Sequence, residues 1–563
     1  MPRSAPSARP AEHTSLAPHA APHAAPHAAL GALPCTAPGA PPRWARGWIA
    51  AATVVLSGCV LSGCALAPPR ADGTLPAPVQ AALDAAGVPA AAFGGAALPL
   101  GHDAAPWRFG AERPLQPAST MKLLTSIVAL DRLGPNHRTG TEFASVAPLA
   151  DGVLQGDLVL RGGADVDLGV PQFWALLLEL RALGIERIAG DVVVDRTLFR
   201  PARMDLGVPP FDDAPEFPYN VIPDALNLAG ALLPLDLRSD GERVVARTVP
   251  PLPGIELEAR LALADRPCSD WTGGWAPAQR RLEAERVVVE LHGSFPRHCA
   301  VRAHLQLVDR QQLTEALFGA LWTQLGGRLD GRVREGAAPI APGLRVLARR
   351  QARPLAEVLR TVNKRSDNPV TRLVFLSLGV QARGAGPAQA SGEVDTAELA
   401  AREVAAWLAA QGIAAPGLVV DNGSGLSRRE RISPQTLAEA LRTAWHGRHA
   451  SELLMSMPQV GSETAVALKD SPAAAWARMK PGTLRNVVAL AGYVKDPQGR
   501  PWALAMMINH DDARRARGAL LAMVDHVARA GVHARPPAGA GPARGASAAD
   551  PGPKAGEPRG DGP

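Results

Sequence analysis

The chain has 563 residues, of which 47% are hydrophobic and 20% charged, with a formal net charge of +6. Length suggests two to four structural units, and the apolar content is ample for a large core. The basic residues are scattered arginines with no basic run interleaved with aromatics, so nucleic-acid binding is unsupported and a solvated basic surface is the simpler reading.

Residues 1–64 read as a low-complexity leader followed by an export signal. An Ala-Pro-His repeat fills residues 17–27 and offers no foldable pattern. Arg43 and Arg46 then precede a short apolar run over 48–56. Two small-residue boxes follow, Leu56-Ser57-Gly58-Cys59 and Leu61-Ser62-Gly63-Cys64. A basic segment, a short apolar core and small cleavage residues make an export signal. The Leu-Ser-Gly-Cys form resembles a bacterial lipoprotein box, which makes Cys59 and Cys64 lipidation candidates, with ordinary cleavage as the alternative. A periplasmic, exported location follows, with lipid anchorage to a membrane as the finer expectation. No other apolar stretch is long enough to span a bilayer.

A short helix is predicted over 78–86, stopped by Gly87, and an apolar strand over 90–98. Pro117 precedes a helix starting near Ser119, with Leu123, Leu124, Ile127, Val128 and Leu130 on its apolar face and Gly134-Pro135 at its end. From 139 to 344 short β-rich runs dominate, separated by Gly, Pro and Asp turns, and read as an inserted β-rich region of two modules. Helical pattern returns at 354–364 and, after Ser366-Asp367-Asn368-Pro369, runs on to Leu378. Ser433-Pro434 reads as an N-cap followed by proline at the first helical position. Residues 487–494 and 502–508 are predicted strands joined at the turn Asp496-Pro497-Gln498-Gly499, and a last helix covers 512–530. The Pro/Gly/Ala-rich tail, 533–563, is predicted to be disordered.

Export decides how the cysteines read. With Cys35 in the leader and Cys59 and Cys64 in the signal, Cys268 and Cys299 remain as a pair in an oxidising compartment. A disulfide is predicted, worth on the order of 3–4 kcal/mol in the chain-entropy model. No metal site is expected. His292, His298 and His304 match no common zinc spacing and read as surface residues.

Only six of the 59 basic residues Lys+Arg are lysines. Arginine keeps its proton near neutral pH, whereas a desolvated lysine can lose it, so each lysine has to be weighed. Lys122 completes Ser119-Thr120-Met121-Lys122. Three residues apart on a helix, the serine and lysine share a face, and a buried, neutral Lys122 could take the Ser119 proton. An N-cap serine beside a surface lysine is the bland alternative, less attractive where lysine is this scarce. Ser366-Asp367-Asn368 could cap the following helix, or Ser366 could pass a proton while the Asn368 carboxamide binds a substrate amide. Lys480 in Lys480-Pro481-Gly482-Thr483 is placed just before a strand whose edge could pair with an extended peptide, where it could bind a terminal carboxylate. The backbone N–H groups of Thr483 and Ser119 could form an oxyanion hole.

In order, these motifs resemble the three corners of a penicillin-recognising serine acyl-transferase. The chain resembles the D-alanyl-D-alanine carboxypeptidases of the DacB type, the class C low-molecular-mass penicillin-binding proteins, over roughly residues 76–530. Carrying segments include Pro117 to Thr125, Asn363 to Asn368, Asp421-Asn422-Gly423-Ser424-Gly425-Leu426-Ser427-Arg428, and Gly482-Thr483-Leu484 leading into Leu490 to Val494. Within the insertion, Gly190 to Asp195 and Tyr219 to Leu226 also look like family segments.

The resemblance implies an α/β (α+β) fold: a serine transpeptidase/β-lactamase-like domain, its antiparallel sheet flanked by helices, assembled from 71–138 and 345–532 around the insertion 139–344. It implies Ser119 as the acylated nucleophile, Lys122 as its base, Ser366 and Asn368 on the second wall, and Lys480, Gly482 and Thr483 as substrate-binding. The implied substrates are peptidoglycan stem peptides ending in D-Ala-D-Ala, with β-lactams as inhibitors and no cofactor. Alternatives are a serine β-lactamase or esterase on the same scaffold, or a catalytically decayed cell-wall-binding lipoprotein. Two departures stand out. Pro481 holds the middle of the usual Lys-Thr-Gly, and Gly461-Ser462-Glu463-Thr464 stands where Gly-x-Asp-Gly-Thr is expected.

Overall fold

A computed structural model describes residues 73–283, 286–338, 342–385, 394–463, 468 and 470–533. The expected export signal, with Cys59 and Cys64, lies outside the described residues, as does the tail from 534 onward. The chain forms two compact units: a smaller one of Pro210–Phe217 and Leu232–Ala320, and a larger one holding the other described residues.

The larger unit is built on a five-stranded sheet in the order Arg478–Leu484, Val487–Lys495, Pro501–Asn509, Phe93–Pro99, Trp107–Phe109. Every neighbouring pair is antiparallel. The predicted turn joins the second and third of these strands. Asp496 Oδ1 accepts from the backbone N–H of Gln498 (3.0 Å) and of Arg500 (2.9 Å), and Gly499 takes φ +75°. Successive side chains of a strand point to opposite faces. On Pro501–Asn509, Trp502, Leu504, Met506 and Ile508 enter one core, with Val79, Leu83, Leu520, Met523 and Val527 of the helices Ala77–Ala85 and Arg517–Ala530. Ala503, Ala505 and Met507 enter a second core on the other face, joined by Ala489 and Ala491. A central strand buried on both faces therefore reads as a continuous apolar run, which is why it was visible in sequence. The alanines leave that second face shallow, so helix backbones can approach it closely.

The helix Met121–Arg132 fills the second core. Each residue from Met121 to Leu130 is buried, including Lys122, Thr125 and Ser126. A helix with apolar residues almost all round needs cover on all sides. Here the helices Leu355–Lys364, Asn368–Ala385 and Pro434–His446 supply it. The last of these starts as expected: Ser433 Oγ accepts from the Thr436 N–H at 3.0 Å, with Pro434 at the first turn.

Boundaries differ from expectation where local geometry intervenes. A 3-10 turn, Ala118–Thr120, leads into the buried helix, so Ser119 sits on the turn and Lys122 on the first helical turn. The helix after Asn368 runs on to Ala385 rather than stopping at Leu378. The last helix begins at Arg517, because residues 513–516 are held by backbone bonds three residues apart. Lys480 lies within a strand, Arg478–Leu484, not before one.

The segment expected to be β-rich also contains helices. Within the larger unit, a five-stranded mixed sheet runs in the order Val333–Glu335, Val192–Asp195, Leu158–Gly163, Gly140–Ser145, Arg345–Gln351, accompanied by the helix Val170–Ala182. Phe173, Leu176, Leu177 and Leu180 form that helix's buried stripe, a spacing masked in sequence by its run of leucines. Arg310–Gln324 is a second helix that the reading of short strands passed over. The smaller unit holds two three-stranded sheets, and in it Cys268 and Cys299 meet with their Cα atoms 5.3 Å apart and their sulfurs at bonding distance.

Candidate active site

The three motifs separated by hundreds of residues converge at one end of the five-stranded sheet. Lys122 Nζ stands 3.1 Å from Ser119 Oγ, 2.6 Å from Asn368 Oδ1 and 2.5 Å from the Ser424 carbonyl oxygen. Lys480 Nζ donates to Ser366 Oγ at 2.7 Å. Ser119 and Ser366 are partly open, whereas both lysines are enclosed.

Backbone conformation sets this geometry. Ala118, immediately before the serine, has φ +46°, and Ser366 has φ +58°. Left-handed non-glycine residues cost on the order of 1–2 kcal/mol each, and they persist where the surroundings enforce them. Around Ala118, two glycines form those surroundings. A Cβ on Gly425 would stand 1.8 Å from the Ala118 carbonyl oxygen, and one on Gly482 would stand 2.8 Å from the Ser119 nitrogen. Only glycine allows the 421–428 loop and the edge strand to close on the backbone of Ser119.

The Asn368 carboxamide is oriented by its own contacts. Its Nδ2 donates to the Tyr219 carbonyl at 3.0 Å, which turns Oδ1 toward Lys122. With Asn368 and Ser424 accepting two N–H bonds, a neutral Lys122 has its lone pair left for the Ser119 hydroxyl. Burial pushes the Lys122 ammonium down from 10.5 to about 7, opposed by Glu430 and Asp367 and assisted by Arg372. Burial also takes Lys480 well below its usual value, and the positive charge of Lys122 adds to the effect. The site thus holds a serine beside a base that can be neutral near pH 7, with a second hydroxyl–amine pair opposite.

Glu430 was not singled out in the sequence. It is fully buried, and its Oε1 accepts from the N–H groups of Asn422 (3.1 Å) and Gly423 (2.8 Å), bracing the loop that aims the Ser424 carbonyl at Lys122. Burial raises its carboxyl to about 7, with Asp421 adding and the two N–H groups and Lys122 opposing. The segment 421–428 was legible as a family feature, but a backbone carbonyl ligand leaves no side-chain signal. The departure at 461–464 gains a partial account: Glu463 forms a two-oxygen ion pair with Lys364 at 2.6 and 2.7 Å. Thr464 lies outside the described residues.

Three comparisons bear on this site. The family profile described as D-Ala-D-Ala carboxypeptidase 3 (S13) matches residues 77–529. The chain belongs to the S13 family. That makes it a serine-type D-Ala-D-Ala carboxypeptidase, a hydrolase. Among its relatives is the D-alanyl-D-alanine carboxypeptidase of Actinomadura sp. (strain R39), 30% identical over 410 residues, covering 70% of this chain and 73% of that protein. Another is the DacB D-alanyl-D-alanine carboxypeptidase of Haemophilus influenzae, 26% identical over 404 residues, covering 70% of this chain and 80% of that protein. The crystal structure of penicillin binding protein 4 (dacB) from Haemophilus influenzae superposes with a TM-score of 0.62 at 21% identity, over 77% of this chain and 95% of that one. The fold is thus the mixed α/β fold of these penicillin-binding hydrolases, as the resemblance implied.

Within this S13 protein, Pro481 lies on the outermost strand of the sheet, paired in register with Leu490. An edge position tolerates the missing N–H. The missing hydroxyl leaves Thr483, two residues on, as the remaining hydroxyl of this strand's motif. Pro481→Thr is expected to raise the second-order rate of acylation by penicillin several-fold, measured by timed fluorescent labelling. An unchanged rate would show that a hydroxyl there is irrelevant.

Proposed function

We propose that this chain is an exported penicillin-binding D,D-carboxypeptidase/D,D-endopeptidase that acts on peptidoglycan stem peptides through an acyl-enzyme on Ser119. Lys122 takes the Ser119 proton as Oγ attacks the carbonyl carbon of the penultimate D-alanine. The N–H groups of Ser119 and Thr483 receive the oxyanion, where one such donor is worth about 3–4 kcal/mol. The leaving amine of the terminal D-alanine takes its proton through Ser366, hydrogen-bonded to Lys480. Water then attacks the ester carbonyl, giving a proton to Lys122, which passes it to Ser119 Oγ as the C–Oγ bond breaks, freeing the acid and restoring the hydroxyl. Asn368 and the edge strand bearing Gly482 hold the peptide, and Lys480, hydrogen-bonded to Ser366, adds only a titrating charge near its terminal carboxylate. Cleaving a D-alanyl cross-link uses the same steps, with the larger amine as the leaving group.

The observation that carries this reading is the hydrogen bond between a buried lysine and the serine of Ser-x-x-Lys, 3.1 Å. A β-lactam complex of the Haemophilus influenzae protein is known, and β-lactams as inhibitors here follow from that kinship. We further propose that the 71–138 and 345–532 segments form the catalytic domain around the inserted 139–344, and that Cys268 and Cys299 are oxidised on export. Delivery to the periplasm, with a lipid on Cys59 or Cys64, fits the leader. Among the described residues no helix is long and apolar enough to cross a membrane.

The test is to incubate the purified protein with a fluorescent penicillin, digest it, and locate the adduct by mass. One adduct on the peptide containing Ser119 is expected, decaying slowly. A rapidly lost adduct would favour β-lactamase activity, and no adduct, or one elsewhere, would refute the assignment.

A further inference from the structure

The edge strand offers little to a substrate carboxylate on its own. Pro481 has neither hydroxyl nor N–H. The Lys480 amine is committed to Ser366 at 2.7 Å and is buried, with its ammonium disfavoured by burial and by the charge of Lys122. A bound carboxylate would therefore lack a permanent counter-charge from the motif itself.

Arginine supplies a charge that does not titrate. Residues two apart on a strand share a face, so the side chains of Pro481 and Thr483 lie together at this exposed edge. The Thr483 hydroxyl accepts from Arg517 Nη2 at 2.9 Å. Arg517 opens the last helix and is exposed, and among the described residues no carboxylate pairs with its guanidinium. Four of its five N–H donors remain for a ligand. Planar, forked donors match a carboxylate oxygen for oxygen.

We propose that Arg517, acting with the Thr483 hydroxyl, is the cation that binds the free C-terminal carboxylate of the substrate and so makes the protein selective for chain-terminal D-alanine and for carboxylate-bearing β-lactams. This rests on the acyl-enzyme reading of Ser119. The arginine takes over what the middle threonine of Lys-Thr-Gly would otherwise provide, and it explains how Pro481 is compatible with a working site.

The experiment compares acylation rates of the whole protein by benzylpenicillin and by its methyl ester, which differ only in the carboxylate. Arg517→Ala is expected to slow acylation by the acid by about 10- to 100-fold, the range for a lost hydrogen bond to a charged group, while leaving the ester rate unchanged. Arg517→Lys restores part of the preference. Arg514→Ala removes an equal charge from a neighbouring arginine that donates to the Leu484 carbonyl, and leaves the preference intact. Equal loss with acid and ester, or the same effect from Arg514→Ala, would overturn the proposal while the native protein still forms its acyl-enzyme. If the native protein forms no adduct with either compound, the reading of Ser119 falls and takes the carboxylate role with it.

Discussion

Lys122→Arg is expected to abolish acylation by penicillin, even though it keeps the positive charge and the length of the side chain. The reason is protonation. The native lysine is pushed down to about 7 by burial, so a useful fraction is neutral at pH 7. Guanidinium stays protonated and cannot accept the Ser119 proton. Loss of general-base catalysis costs on the order of 10²–10⁴-fold, and more where base and nucleophile act as a unit. Lys122→Met should lose as much, and Ser119→Ala combined with either should be no worse than Ser119→Ala alone. For the native protein the sign of the pH dependence follows directly. The active form is the neutral amine, so acylation rises as pH climbs through about 7 and falls below it. Timed labelling across pH reads both effects. Substantial acylation by Lys122→Arg, or a rate independent of pH between 5 and 8, would remove Lys122 from the role of base.

Gly425→Ala is the second large effect, although it touches no side chain of the site. The added methyl would overlap the Ala118 carbonyl oxygen at 1.8 Å and crowd the Ser119 nitrogen at 2.8 Å. The residue also holds φ +81°, unfavourable to an L side chain by on the order of 1–2 kcal/mol. Either the loop retreats, carrying the Ser424 carbonyl away from Lys122, or the nucleophile turn does. A displacement of about 1 Å can cost on the order of 10²-fold in rate. Gly412→Ala is the matched control: φ is also positive, +68°, but nothing lies within 4 Å of the added Cβ. It should lose some thermal stability and keep its acylation rate, whereas Gly425→Ala should lose both. Near-native labelling of folded Gly425→Ala would mean the contact does not position the serine.

The contrast between these two positions also shows what a sequence can carry. Ser119, Lys122, Ser366, Asn368 and Lys480 were legible because scarce or short polar motifs occur in a definite order. The hairpin around Asp496 was legible because turn chemistry and a two-faced apolar run are local. The role of Gly425 depends on a carbonyl some three hundred positions earlier, and that of Glu430 on a buried loop it braces through two N–H bonds. Neither leaves a local pattern. The helix Val170–Ala182 was lost among short strands because the leucine run over 176–180 hides the spacing of its buried stripe. Arg517 looked like one of many arginines until the edge strand brought Thr483 to it.

The convergence of Gly425 and Gly482 on residues 117–119 bears on how such a target can escape its inhibitors. Ser119 is held by main chain against main chain, at positions where the only tolerated substituent is hydrogen. If Ser119 carries the acyl group as proposed, a substitution that displaces it is expected to lose peptide cleavage together with penicillin capture. On the acyl-enzyme reading, substitutions that weaken capture of a free acid without moving Ser119 are expected at the rim, at positions such as Pro481, Thr483 and Arg517.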